Sequence, residues 1–195
     1  MTDIIGVILA GGLARRMGGG DKSLRLVEGR PILAHVIERF RPQVACLFLN
    51  ANGDPARFAP FGLEILPDGV AGFPGPLAGV LAGLDRAAAL GLDWIVTAPA
   101  DAPFIPLDLV ARLQTVRGQA PMAMAASGGR THPVAALWPV SMRGGLRATL
   151  EAGERKVGAA TAGAAVATWP DHPVDPFFNV NTPDDLARAA EVNRP

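Results

Sequence analysis

VILAGGLARRMGGGDK, from Val7 to Lys22, decides how this chain is read. A short aliphatic run stops at paired glycines, crosses two adjacent arginines and more glycines, and closes on a lysine. The run Ile4–Leu9 predicts a buried strand, because it is short, β-branched and ends at turn residues. Glycines let backbone N–H groups approach anionic oxygens and tolerate positive φ. Arg15, Arg16 and Lys22 add charge-assisted donors, and arginine's can be bidentate. A polyphosphate loop follows from this pattern; a glycine turn with solvated basic side chains is the plainer alternative. Two standard phosphate loops do not fit. A P-loop needs Gly-Lys-Ser/Thr in direct succession, whereas Asp21 separates Gly20 from Lys22. The dinucleotide fingerprint G-x-G-x-x-G fails because Leu13 to Met17 all carry side chains.

Working outward, Val44–Leu49, Leu63–Leu66 and Trp94–Thr97 read as three further strands. Helices are predicted over Pro31–Phe40, Pro76–Leu90 and Pro106–Val116, each opening with proline and keeping its leucines, valines and isoleucines on one stripe. Alternating strands and helices imply an α/β fold, a mostly parallel sheet in a three-layer α/β/α arrangement with right-handed crossovers. Pro121–Ala126 and Pro133–Leu137 flank the hairpin turn Ser127-Gly-Gly-Arg130. A helix over Met142–Ala152, a weak strand over Ala164–Thr168 and a compact strand over Phe177–Asn181 follow. Thr182-Pro183-Asp184-Asp185 then opens a last helix with an N-cap, a proline and two acids suited to the helix dipole.

The chain has 195 residues, which fits one domain with a sizeable core, and no net charge, which argues against a general nucleic-acid binder. The single cysteine, Cys46, excludes an intrachain disulfide and a thiolate metal cluster. It sits in an apolar run and is expected to be a small buried hydrophobe. Near the N-terminus the arginines follow the apolar run, opposite to a secretory signal. No uncharged apolar run approaches the ~20 residues of a membrane span. A soluble, cytoplasmic protein is expected.

In a parallel sheet, ligands bind beyond the carboxyl ends of the strands. The glycine loop, Asn50, Asp68 and Asp101 all land there. Asp101, between prolines in Thr97–Phe104, is a hard oxygen ligand suited to Mg²⁺, which binds through one or two carboxylates plus phosphate oxygens; an Asx turn or helix cap is the alternative. Asp68 can accept from the adjacent N1–H and exocyclic amine of guanine, a pair that adenine and cytosine lack, or it is a surface-loop aspartate. Asn179 and Asn181 alternate with Val180, so a strand places both on one face, for ligand contact or for solvent. His132 is a base or phosphate contact, and the histidine spacing does not make a zinc site. Glu151, Glu154, Arg155 and Lys156 form a solvated helix end, or the two cations meet an anionic substrate. The chemistry this set permits is positioning and electrostatic stabilisation, without a covalent nucleophile.

Leu9-Ala-Gly-Gly-x-Ala-Arg-Arg-Met-Gly-x-x-Asp-Lys22 resembles the signature loop of nucleotidyltransferases with a GT-A-like fold, and more closely that of the molybdenum cofactor guanylyltransferases. Asn50-Ala-Asn52, Phe73–Gly79, Pro99–Pro103, His132-Pro133, Ala152–Arg155 and Phe178–Pro183 agree in order over nearly the whole chain. The resemblance implies a Rossmann-like nucleotidyltransferase (nucleotide-diphospho-sugar transferase) fold. It implies transfer of GMP from GTP to the terminal phosphate of Mo-molybdopterin, with pyrophosphate released. Nucleotide contacts are then expected at Leu9, Ala10, Gly11, Gly12, Gly19, Lys22, Asn50, Asp68, Gly75, Gly79 and Asp101. Asp101 is expected to hold Mg²⁺, and Asp101, Lys22 and Arg16 to serve catalysis. Acceptor contacts are expected at His132, Arg155, Lys156, Asn179 and Asn181. About 1–110 forms the nucleotide-binding half of a single domain and about 111–195 the acceptor-binding half. Molybdenum-insertion and cofactor-delivery proteins are implied as partners, without nucleic acid or membrane, and a monomer is expected. Alanines flank the Pro99–Asp101 turn where relatives carry cysteines, and Ser23 stands where glycine is common; neither removes a group the chemistry needs. Three alternatives remain: a same-fold enzyme for another base or acceptor (a molybdopterin cytidylyltransferase or a sugar-phosphate nucleotidyltransferase), a non-catalytic GTP or molybdopterin carrier, and a P-loop-like GTPase, which the broken Gly-Lys-Ser order opposes.

Overall fold

The computed structural model describes residues 3–11, 21–69, 75–153 and 157–192. The chain opens with β1 (Ile4–Leu9), the short strands β2 (Leu26–Val27) and β3 (Arg30–Pro31), and α1 (Ile32–Phe40). Next come β4 (Cys46–Asn50), β5 (Glu64–Leu66), α2 (Pro76–Ala89), β6 (Trp94–Pro99) and α3 (Leu109–Arg117). The second part carries β7 (Ala123–Ser127), β8 (Arg130–Pro139), α4 (Arg143–Glu151), α5 (Val157–Ala160), β9 (Ala165–Trp169) and α6 (Pro183–Val192).

Among the described residues seven strands make one sheet in the order β5-β4-β1-β6-β8-β7-β9, and β2 with β3 makes a separate ribbon. β1 runs parallel to β4 and β6, β4 to β5, and β7 to β9; β8 alone is reversed against β6 and β7. The mostly parallel sheet expected from the alternation is present, and the hairpin at Ser127–Arg130 supplies its one antiparallel strand. β1 has no polar position, as a strand covered on both faces requires. Ile4 and Ile8 cluster with Leu33, Val36 and Phe40 of α1 and with Leu109 and Leu113 of α3. Ile5, Val7 and Leu9 cluster with Leu77, Val80 and Leu81 of α2 and with Leu146 and Leu150 of α4. Each such side chain, once buried, stabilises the fold by about 1.5–3 kcal/mol.

Because β1 lies between β4 and β6, the chain winds outward from it in both directions. The carboxyl ends of β1, β4 and β6 therefore flank a topological switch point, where open α/β sheets bind ligands. Among the described residues no helix is long and apolar enough to cross a membrane.

Four sequence expectations change. Phe177–Asn181 is not a strand: its backbone makes one bond towards the sheet, Val180 N–H to the Asp101 carbonyl at 2.9 Å, and its other described N–H bonds go to residues Asp175 and Asp185. Cys46 is exposed. It begins β4, whereas β5 starts two positions later opposite Phe48, leaving Cys46 beyond the end of the edge strand. Pro31 precedes α1 and pairs with Leu26 in the β2–β3 ribbon. α3 begins at Leu109, not Pro106, because a side chain from elsewhere caps it: Gln43 donates to the Pro106 carbonyl at 2.8 Å and accepts from Val110 N–H at 3.0 Å. α2 does start at Pro76.

Candidate active site

At the switch point the strand ends are laced together by backbone bonds. Ala10 N–H donates to the Asn50 carbonyl at 2.9 Å and Ala100 N–H to the Leu9 carbonyl at 3.1 Å. Leu9 and Ala10 are buried, while Gly11 faces open space. Gly12, Arg16 and Gly19 of the loop lie outside the described residues, as do Arg155 and Lys156.

Past that loop, Lys22 reaches back over the end of β6. Its ammonium donates to Asp101 Oδ2 at 2.6 Å and to Asn181 Oδ1. Three widely separated segments therefore meet at one nitrogen. The two charged side chains are only 17 % and 21 % exposed, so the cost of taking both charges out of water offsets much of their attraction, and the pair is weak evidence of a stabilising role. A chemical role is the better reason for the cluster. The histidine, cysteine and acidic side chains among the described residues form no group of three able to cage a metal ion. A carboxylate without two further such ligands among the described residues suits a hard cation that keeps most of its ligands from phosphate and water better than it suits zinc.

On the other flank of β1, Asn50 is buried at the end of β4. Its Nδ2 donates to the Leu66 carbonyl at 2.9 Å and to Asp68 Oδ1 at 2.8 Å. Asn52, which the sequence reading left unassigned, forms a reciprocal pair with Asp68. Its Nδ2 donates to Asp68 Oδ2 at 2.7 Å, and its Oδ1 accepts from Asp68 N–H at 2.9 Å. Among the described residues each carboxylate oxygen accepts one side-chain bond of its two-bond capacity, so Asp68 presents two acceptors held in a fixed direction. Gly79 makes this packing possible: an added Cβ would lie 2.1 Å from Asn50 Oδ1 and 2.9 Å from Leu9 Cδ2. Gly75 is exposed just before α2, with open space around it.

The segment carrying Asn179 and Asn181 is fastened at both ends. Asp175 Oδ1 accepts from Phe177 N–H at 2.9 Å and from Ser127 Oγ at 2.6 Å. Ser127 Oγ also lies 2.7 Å from His132 Nε2. Ser127 gives its one hydroxyl proton to Asp175 Oδ1, so His132 Nε2–H is the donor to Oγ. The His132 ring stacks on Phe177 at 4.6 Å, and Phe177 meets Trp169 edge-on at 5.5 Å. At the far end Asp185 Oδ2 accepts from Asn181 N–H and Thr182 N–H, both at 2.9 Å, and Thr182 Oγ accepts from Asp185 N–H at 3.1 Å. The N-cap expected at Thr182 is present, closed by Asp185 into a reciprocal capping box. Val180 is thereby buried while Asn179 and Asn181 stay exposed, the facing predicted for a strand but produced without one. His132 is a partner of this fastening through Nε2, and Ser127 is too buried, at 1 %, to act as a nucleophile.

Burial holds the His132 imidazole below its ordinary pKa of 6.5, Arg130 pushes the same way, and Asp175 opposes them in part. The unfolded chain then takes up a proton that the native chain resists, so stability is full above about pH 6.5 and falls as pH drops through the depressed native value. Chemical denaturation of the parent and His132→Gln between pH 7.5 and 5 should show a steeper acid loss in the parent. Parallel curves would show that His132 is not held neutral.

The sequence model of the MobA-like NTP transferase domain matches residues 6–190. The chain belongs to the MobA-like NTP transferase family. Within curated relatives it is 58% identical over 193 residues to the molybdenum cofactor guanylyltransferase of Rhodopseudomonas palustris strain BisB5, covering 95% of this chain and 92% of that one. It is 51% identical over 193 residues to the Cereibacter sphaeroides enzyme of the same name, covering 98% and 97%. Its fold also matches the crystal structure of molybdopterin-guanine dinucleotide biosynthesis protein A from Archaeoglobus fulgidus, with a TM-score of 0.74, 24% identity and 97% of each chain covered. The chain is thus a nucleotidyltransferase, a molybdenum cofactor guanylyltransferase by its relatives.

Proposed function

We propose that this chain transfers GMP from GTP to the terminal phosphate of Mo-molybdopterin, forming molybdopterin guanine dinucleotide and pyrophosphate. Full-length identity to molybdenum cofactor guanylyltransferases supports this reading. The observation that carries the chemistry is Lys22 meeting Asp101 and Asn181 on the same sheet edge as the Asn50–Asp68 pair. A phosphate oxygen of the acceptor attacks the α-phosphorus in line, and the bond from that phosphorus to the bridging oxygen of the leaving pyrophosphate breaks. Asp68 accepts the N1–H and exocyclic amine of guanine. Lys22, with Arg16 and the glycine-loop amides, holds the β- and γ-phosphates and stabilises the charge that departs with them. Asp101 is the residue that would hold Mg²⁺, whose chemistry is to neutralise charge on phosphate oxygens. Asn179, Asn181, His132, Arg155 and Lys156 belong to the acceptor side, with Asn181 reaching the nucleotide side through Lys22. Proteins that supply molybdenum and accept the finished cofactor are the proposed partners, and the cytoplasm and a monomer the proposed setting.

The test is pyrophosphate release with GTP, CTP or ATP, each with molybdate-loaded molybdopterin and Mg²⁺. Release with GTP alone is expected; release with CTP, or nucleotide binding without release, would overturn the assignment. Binding gives a second check. GTP at about a hundred times its Kd should stabilise the native state by about 2.7 kcal/mol, raising the unfolding temperature, whereas CTP and ATP at that concentration should not.

A further inference from the structure

Arg57 lies in the 3-10 turn Pro55–Phe61 that follows β4, outside every role assigned so far. All three nitrogens of its guanidinium are engaged. Nε donates to Asp21 Oδ2, Nη1 to the Asp54 carbonyl, and Nη2 to the Asn52 carbonyl at 2.5 Å. The guanidinium carbon sits 4.6 Å from the ring centre of Phe58, which is buried in the core. Gly53, at φ 81°, turns the backbone so that the two carbonyls on either side of it point into one fork. A non-glycine residue is strained in that conformation.

The two ends of this fork matter. Asp21 immediately precedes Lys22, whose ammonium sits on Asp101 and Asn181. Asn52 is the residue that pairs reciprocally with Asp68. One planar cation, seated on a core aromatic ring, therefore ties the phosphate-side lysine to the turn that aims the base-side carboxylate. Arginine suits this place and lysine does not: a rigid fork of donors in one plane can satisfy a carboxylate and two carbonyls together, and a single ammonium cannot hold that geometry.

We propose that Arg57 is a positioning residue that couples reading of the guanine edge to placement of Lys22 on the polyphosphate. The proposal rests on Asp68 as the guanine reader. It makes base identity and phosphate grip interdependent, although the groups that perform them come from separate segments.

Inosine triphosphate, which lacks the exocyclic amine of guanine, reads the base side directly. Affinities for GTP and inosine triphosphate are measured by isothermal titration on the full chain, in the parent, Arg57→Lys, Arg57→Gln, Asp68→Asn, Lys22→Met and the Arg57→Lys/Lys22→Met double variant, with thermal unfolding recorded for each. The parent should prefer GTP by about tenfold or more, the size of one hydrogen bond to a charged group. In both Arg57 variants the preference should fall to less than about threefold, and Lys22→Met should cost less GTP affinity in the Arg57→Lys background than in the parent, the non-additivity expected of coupled residues. An arginine that only stabilises the turn would lower the unfolding temperature and leave the preference and the Lys22 effect unchanged; that result overturns the coupling. Loss of preference in Asp68→Asn with its retention in the Arg57 variants overturns the role of Arg57 and leaves Asp68 as the reader. Retention of preference in all three overturns both.

Discussion

Replacement of Asp101 by alanine is expected to lower turnover by roughly 10²–10⁴-fold, the several kcal/mol that charge neutralisation at a transferring phosphate contributes, with the fold intact. The backbone carbonyl of Asp101, which accepts from Val180 N–H, remains in the variant. Only the carboxylate is lost, and with it the pair to Lys22, whose ammonium keeps the Asn181 Oδ1 acceptor. Asp101→Asn separates charge from shape. Its carboxamide oxygen can still accept from Lys22, but it is a poor partner for a hard cation, so it should be nearly as impaired as the alanine variant. Pyrophosphate release measures the effect and circular dichroism the fold. A folded alanine variant with near-parental turnover would falsify the assigned role, and a fully active asparagine variant would show that the charge is not used.

Gly79→Ala should damage GTP binding, for a steric reason. An alanine in a helix interior ordinarily stabilises by up to about 1 kcal/mol relative to glycine. Here the new methyl would lie 2.1 Å from Asn50 Oδ1 and 2.6 Å from its Cγ. Asn50 cannot stay, and its bonds to the Leu66 carbonyl and to Asp68 break. Leaving buried polar groups unpaired costs about 1–3 kcal/mol, and Asp68 loses one of the two amides that aim it. GTP affinity should therefore fall by roughly tenfold to a hundredfold, equivalent to that same 1–3 kcal/mol, with the unfolding temperature lowered as well. Gly145→Ala in α4 is the control: beyond its chain neighbours and its own helix backbone no atom lies within 4 Å of its would-be Cβ, so the alanine should raise the unfolding temperature. Parental GTP affinity in Gly79→Ala would mean that Asn50 has no part in the nucleotide site.

Which strands and helices exist was largely legible in the chain. β1, with its unbroken apolar run, and α2, opening at Pro76, follow from local rules: backbone sterics, the missing N–H of proline, and side-chain periods of 2 and 3.6. The N-cap at Thr182 is likewise readable over four residues. Local rules failed where a distant group supplied the hydrogen bond. Gln43 caps α3 from across the molecule, so Pro106 does not mark its start. Asp175, Ser127 and Asp185 hold Asn179 and Asn181 outward where alternation predicted a strand. Cys46 lies in an apolar run, yet its exposure depends on where the neighbouring strand begins.

The candidate site divides along the same line. Its members Asn50, Asp68 and Asp101 were visible because each follows a strand, and parallel strands deliver their carboxyl ends to one edge. Asn52 and Arg57 carry no local signal, because what distinguishes them is a partner: Asp68 for one, Asp21 and two carbonyls for the other. By itself, then, the sequence determined most strands of the main sheet, the glycine and cation pattern after β1, and the edge where chemistry collects, since these rest on interactions within a few residues. Only the tertiary structure decided which atoms share a hydrogen bond there: Lys22 with Asp101 and Asn181, Asn52 with Asp68, and Asn50 beneath Gly79. Those contacts depend on strand register and helix packing, which the whole core sets together and no short stretch of chain specifies.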